Sequence, residues 1–411
     1  MKRLLIVLMA CAAAPALLAQ APQAPQQPVF RATVDLLRVD VQVVGNDGQP
    51  VPTLTLPDFE VFIDGRPRRV VSTELVRYSP TVMSADAAAV PIRTPGRIPE
   101  DGRVYVIAVD QAAFSTGAVM PIRRALQQFI NQLRPEDMVA LYDFPFRQPL
   151  LDLTHDHSAV TRAFNRIVGL FEPSLGVFSL APSEIIGITA GDAQVADRVI
   201  RRECDPADIS CPSAVRQEAS AVAGFMEADS QMRLSSLSNL MKGLSYIQGR
   251  KTVLLVSGGM LSSTRTGGRP DVTTLMGKVG SEAAAADANL YVLHWDNTFF
   301  DAYSAANKPT RNPSDRFESM FEDRHATGQG LEIIAGKAGG ALLRVEAGTG
   351  ESAFNRVLRE TSAYYLLGVE PGEDERDGKT HFLRVNVKPR GNTVRVRSQV
   401  VIPRRVAGST P

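Results

Sequence analysis

The sequence predicts an α/β protein: a doubly wound, mostly parallel sheet inserted into a small all-β, sandwich-like unit that the N- and C-terminal segments build together. Three observations carry this. First, Val104-Tyr105-Val106-Ile107-Ala108-Val109-Asp110 and Lys251-Thr252-Val253-Leu254-Leu255-Val256-Ser257 are near-continuous apolar runs rich in β-branched residues, as strands buried on both faces are. Second, helix-period segments alternate with shorter apolar runs around them, which implies right-handed βαβ crossovers. Third, the period changes to two at both ends of the chain.

Taken in order, Lys2 and Arg3, an apolar run over 4–18 and small residues around Ala19 fit a secretory signal peptide, 1–19, cleaved before Gln20. Pro15 and a run of about 15 residues argue against a membrane span, which needs ~20. The protein is therefore expected to be secreted or periplasmic, with no span in the mature chain. Leu8-Met9-Ala10-Cys11 loosely resembles a lipobox and keeps a lipoprotein as the alternative. Residues 20–29 are an Ala/Pro/Gln-rich flexible leader.

The N-terminal β segment, 30–78, shows Leu37, Val39, Val41 and Val43 alternating with polar residues. Phe59, Val61 and Ile63 do the same, with Asp47-Gly48 and Asp64-Gly65 as turns. Four prolines mark 79–101 as a linker. In the α/β region, 102–363, Ile122, Leu126, Phe129 and Ile130 predict a helix after the first strand, and 137–144 and 147–153 predict the next strand and a hairpin partner. Residues 169–212 show no clear period and are expected to be an insertion or a long loop. Two helical segments should follow, the second carrying Leu237, Leu240, Met241 and Leu244. Then come the strand at 251–257, a helix over 271–288, strands at 290–295 and 341–345, and a last helix around Phe354 and Val357. The C-terminal β segment, 364–405, repeats the period of two in Leu383, Val385 and Val387, and 406–411 is a tail.

A net charge of +1 gives no electrostatic case for nucleic acid or a polybasic membrane contact, and 44% hydrophobic with 22% charged residues is ordinary for a globular protein. An oxidising compartment favours a disulfide between Cys204 and Cys211, since Cys11 leaves with the signal peptide.

Several pieces in order resemble the VWFA-related family of secreted proteins abundant in Acidobacteria. They are Asp35-Leu36-Leu37-Arg38-Val39-Asp40-Val41 with Asp47-Gly48, Asp58-Phe59-Glu60-Val61 with Asp64-Gly65, the strand ending at Asp110, Gly258-Gly259, and Tyr364-Tyr365-Leu366-Leu367-Gly368. The resemblance implies a von Willebrand A (Rossmann-like) fold and a role in adhesion or protein binding. It also implies a metal-ion-dependent adhesion site, with a cation such as Mg²⁺ or Mn²⁺ held by oxygen ligands after the first and later strands. Here that site is degenerate. Asp110 matches the first ligand, but Ala112 and Phe114 replace two coordinating serines, and Ser257 stands where the last carboxylate would be. Ser115, Ser257 and Thr264 would supply hydroxyls only after a register shift, and otherwise Asp110 caps the segment after it.

Hydrolase chemistry is the competing class. Ser257 lies at a strand end but lacks a Gly-x-Ser-x-Gly elbow, and His155, His157, His294, His325 and His381 are scattered. A general base within ~3 Å of Ser257 or His294, in a pocket, would favour an enzyme. The expectation is a non-enzymatic module without a required cofactor, binding an unknown protein or cell-surface partner at the carboxyl edge of the sheet. Its binding edge would be Asp110, Ala112, Phe114, Ser115, Ser257 and Met260, with Phe114 and Met260 as exposed apolar contacts, the alternative being burial of both beneath the 169–212 insertion. The alternatives are a secreted hydrolase and a metal-dependent adhesin.

Overall fold

Alternating apolar residues at the start of the chain form β1 (Leu37–Val44), β2 (Phe59–Ile63), β3 (Arg66–Arg68) and β4 (Val70–Arg77) in this computed structural model. The structure describes residues 36–78, 102–145, 148–170, 176–296, 315–346 and 349–404. The expected signal peptide and leader, the linker and the tail lie outside these. The wholly buried β5 (Val104–Asp110) leads through two 3-10 turns, Gln111–Ala113 and Thr116–Ala118, into α1 (Val119–Asn131). Ile122, Leu126, Phe129 and Ile130 of α1 recur at helical spacing and are buried. Next come β6 (Met138–Phe144), β7 (Gln148–Thr154) and α2 (His157–Ala163), whose first turn is capped by the Asp156 carboxylate accepting from Ala159 N at 2.9 Å.

Within 169–212 the structure corrects the sequence expectation. Instead of an irregular insertion it holds α3 (Pro182–Thr189) and α4 (Ala193–Glu203). Both are short, and Arg202 and Glu184 pair inside them at 2.5 Å, each 1% exposed. A buried ion pair breaks the apolar period that marks a helix in sequence. Cys204 and Cys211 form the expected disulfide, which closes the turn between α4 and α5 (Cys211–Leu244).

A second correction concerns α5, one 34-residue helix where two segments were expected. Its buried stripe passes from Val215, Ala219 and Ala223 through Ser230 and Arg233 to Leu237, Met241 and Leu244. The polar residues in mid-stripe interrupt the apolar pattern without interrupting the helix. The chain continues through β8 (Lys251–Ser257), α6 (Thr273–Ala285), β9 (Ala288–Trp295), α7 (Asp315–Lys337), β10 (Ala341–Val345) and α8 (Gly350–Glu360). It ends in β11 (Ala363–Val369), β12 (Thr380–Val387), β13 (Thr393–Arg395) and β14 (Gln399–Val401).

One sheet has the order β10-β9-β8-β5-β6-β7, parallel except for β7. Ile107, Val109, Leu254 and Val256 cluster on one face with residues of α1, α2 and α8, while Val106, Ala108, Val253 and Leu255 cluster on the other with residues of α5, α6 and α7. The chain leaves β5 toward β6 on one side and returns through β8 on the other, so the order reverses between β5 and β8. Open α/β sheets form ligand crevices at the carboxyl end of that junction.

The terminal segments interleave. The order β13-β1-β11-β4 makes one antiparallel sheet and β14-β12-β2-β3 another. Val39 of the first and Val385 of the second lie in a single apolar cluster with Val41, Phe59 and Leu367, so neither segment hides its apolar face alone. A polar seam ties this unit to the α/β sheet. The buried Glu360 accepts from Arg395 Nε at 2.7 Å, and the Tyr291 hydroxyl lies 3.1 Å from both Glu360 and Gln42. Among the described residues no helix is long and apolar enough to cross a membrane.

Candidate functional site

Strand register places a row of side chains across the carboxyl end of the sheet. Phe144 is beside Asp110, Val109 is beside Val256 so that Asp110 neighbours Ser257, Ser257 is beside His294, and His294 is beside Arg344. Alternation along each strand turns the row toward the face covered by α5, α6 and α7. The switch point of the fold thus carries Asp110 and Ser257.

Asp110 is wholly buried, and its Oδ2 accepts from Ser257 Oγ at 2.7 Å and from Arg233 Nη1 in a direct ion pair. Its Oδ1 is buried without a hydrogen-bond partner among the described residues. Burial pushes the carboxyl up to about 6, and the Arg233 charge and the Ser257 hydrogen bond hold it from rising further. The guanidinium is shared, since Arg233 Nε donates to Asp229 Oδ2 at 2.7 Å. Three residues of α5 spaced three apart reach the strand ends in turn: Ser230 Oγ donates to Leu261 O at 2.8 Å, Arg233 to Asp110, and Ser236 Oγ to Pro145 O at 2.6 Å. These contacts hold α5 over the crevice. What is left is a cavity of about 10 Å³ among Asp110, Arg233, Ser257, Leu255, Met260 and Leu331, the size of about one water molecule.

The loop after β8 fits only because of its glycines. A Cβ on Gly258 would stand 2.6 Å from Ala113 O, and Gly259 has φ +130°. Met260 N then donates to Thr327 O at 2.9 Å, which fastens the loop to α7. His294 is buried beside these glycines, and among the described residues no hydrogen bond of normal geometry reaches either ring nitrogen. Burial first, with Arg344 and Arg324 nearby, holds its pKa below the usual histidine value against the pull of Asp296 and the Gly258 backbone.

The structure corrects the expected binding edge. Phe114 is 0% exposed and belongs to the core on the α1 side, and Met260 is 4% exposed in the core beneath α5 and α7. Both were expected at the surface. Met260 is covered because α5 and α7 pass over the strand ends, and Phe114 because it packs among the residues of the α1 side, tertiary placements with no local signal. Ser257 is buried with Asp110, Ala112 is half-buried, and of the six only Ser115 is exposed. Asp110 makes no side-chain cap to the turn after it. Thr264 is remote from this cluster in its bonding, accepting from Gln329 Nε2 at 3.2 Å. Of the other histidines, His157 Nε2 meets Asp137 O at 2.9 Å, and His381 bridges Asp64 and Asp377 at 2.8 and 3.0 Å.

Arg233 is the residue that sequence reasoning missed. A carboxylate ending a buried strand needs a counter-charge, and Ser230-x-x-Arg233-x-x-Ser236 in an otherwise apolar helical stripe is the signal that could have located it. Its position also bears on the cation that an adhesion site would hold. A divalent ion needs several oxygen ligands, whereas here the carboxylate already carries a guanidinium, Ala112 and Phe114 offer no oxygen, and Ser115 is on the exposed side. The residues present do not fit such an ion. Among the described residues no group of three or more His, Cys, Asp or Glu is arranged to hold a metal.

No family model matches the sequence, and neither does any curated protein. Among solved structures the chain is similar to the VWA domain of SpRpn10, with 9% identity and a TM-score of 0.28 over 62% of this chain and 94% of that one.

Proposed function

We propose that this chain is an exported, von Willebrand A-like protein, carried on a sandwich-like β unit, that binds a macromolecular partner through the loops at the carboxyl edge of its central sheet. In this reading the cation of an adhesion site is replaced by a side chain of the protein itself. The observation that carries it is the Arg233 guanidinium seated on Asp110 at the switch point. A fixed internal counter-charge keeps the edge loops in place without a metal, and leaves their outer surface, Ser115, Thr116 and Gly117, exposed for contact. An enzyme is disfavoured on geometric grounds. Ser257 lies within hydrogen-bond reach of the Asp110 carboxylate, but both are at most 1% exposed, the cavity beside them has the size of about one water molecule, and no hydrogen bond of normal geometry reaches the His294 ring.

The test is capture of partners from envelope and medium fractions by the immobilised mature protein, with and without chelator and with Gly117→Glu. Gly117 has open space around its Cβ position, so the substitution blocks the edge without disturbing the fold. Capture that withstands chelator and is lost with Gly117→Glu supports the reading. Capture abolished by chelator, or indifferent to Gly117→Glu, contradicts it.

A further inference from the structure

Resting on that reading, we propose that the partner segment is an acidic peptide with apolar side chains, which docks on the ridge formed by the first turns of α1 and the strap 165–170. The strap is fixed against the edge loops. Leu170 N donates to Gln111 O at 2.8 Å, Thr116 Oγ1 to Gly169 O at 3.4 Å, and Arg123 Nε to Ile167 O at 3.0 Å. Gly169 lies so close to Ser115 that a Cβ there would meet its carbonyl at 2.4 Å, so Val168 and Leu170 are held on either side of a tight backbone contact. Both face solvent, at 46% and 49% exposure. Met120 is 64% exposed one helical turn before Arg123 and Arg124. Val168 and Leu170 thus flank the strap residue that touches Ser115, and Met120 follows the exposed loop 115–117 in the first turn of α1.

Charge identifies the occupant. Residues 111–131 and 157–170 contain Arg123, Arg124, Arg162 and Arg166 and no Asp or Glu. Arg162 pairs with Asp156 at 3.5 Å, both well exposed. Arg123 and Arg166 are bonded to backbone carbonyls, and Arg124 is exposed, so among the described residues none of these three has a carboxylate partner. A chain of net charge +1 has placed uncompensated positive charge beside exposed aliphatic side chains. That combination attracts carboxylates and buries aliphatic groups, and repels a basic segment.

The probes are two fluorescein-labelled peptides of about ten residues, one alternating Glu and Leu and one alternating Lys and Leu, titrated by anisotropy at low salt. The Glu/Leu peptide should bind saturably and the Lys/Leu peptide should not. Met120→Asp and Arg124→Glu, both on exposed positions, should each weaken binding about tenfold or more, while Phe382→Asp on the distant β12 should leave it unchanged. Equal binding of the two peptides, no saturable binding, or indifference to both variants overturns the assignment. The two levels separate in the capture assay. A partner lost with Gly117→Glu but indifferent to Met120→Asp and Arg124→Glu leaves the edge reading standing and removes this one. A partner indifferent to Gly117→Glu removes both.

Discussion

Replacing Arg233 by Met keeps much of the side-chain length and removes the charge that sits on Asp110. Asp110 is 0% exposed, and the Arg233 side chain is 9% exposed. Removing one partner of such a pair costs about 3–5 kcal/mol when the other stays ionised. Asp110 limits that cost by taking a proton. Burial has already pushed it up to about 6 in the wild type, and loss of the guanidinium moves it higher. The folded state therefore holds more protons than the unfolded one between the ordinary carboxylate value and about pH 6, so this group's contribution falls as pH rises through that window. In the variant the fall continues above pH 6, and the gap to wild type widens by about 1.4 kcal/mol per pH unit until Asp110 ionises there too. Trp295, the only tryptophan and buried, reports urea unfolding. The loss should be small near pH 5.5 and about 3–5 kcal/mol near pH 8.5, and Arg233→Met with Asp110→Asn should recover most of it. An equal loss at all pH values, or under about 1 kcal/mol near pH 8.5, would refute the counter-ion role.

Other expectations follow from the same kind of accounting. Burial disfavours the charged form of His381, but its hydrogen bonds to Asp64 and Asp377 outweigh that and raise its pKa. The stability it contributes is complete below the ordinary histidine value and is lost as pH rises through the raised one. His381→Gln should flatten the wild-type slope there, and an unchanged slope sinks the assignment. Glu360→Leu leaves Arg395 in the seam without its carboxylate and should cost about 3–5 kcal/mol by denaturant titration, partly restored by Arg395→Leu in the same chain. Loss of the Cys204–Cys211 bridge, which closes a short loop, should cost about 2.5 kcal/mol; equal midpoints for wild type and Cys204→Ser/Cys211→Ser would contradict this.

How far the sequence could be read depended on whether neighbours along the chain carried the information. β5 and β8 were legible because a strand buried on both faces is apolar throughout, and β1, β2 and β12 because a half-buried strand alternates. Ala341–Val345 was located residue for residue. The continuity of α5 was not legible, because Ser230 and Arg233 are buried where a pattern of apolar residues predicts solvent. The Glu184–Arg202 pair hid α3 and α4 in the same way. Asp110 was identified, but its partner is 123 residues further on, and the burial of Phe114 and Met260 depends on how α1 on one face and α5 and α7 on the other pack at the edge. Local period carries nothing about either.

Calorimetric titration of the mature protein with Mn²⁺, repeated on Asp110→Asn, tests most directly whether a guanidinium has taken the cation's place. The account predicts no saturable heat up to millimolar metal in either protein. Saturable Mn²⁺ binding by the wild type that disappears with Asp110→Asn would contradict it.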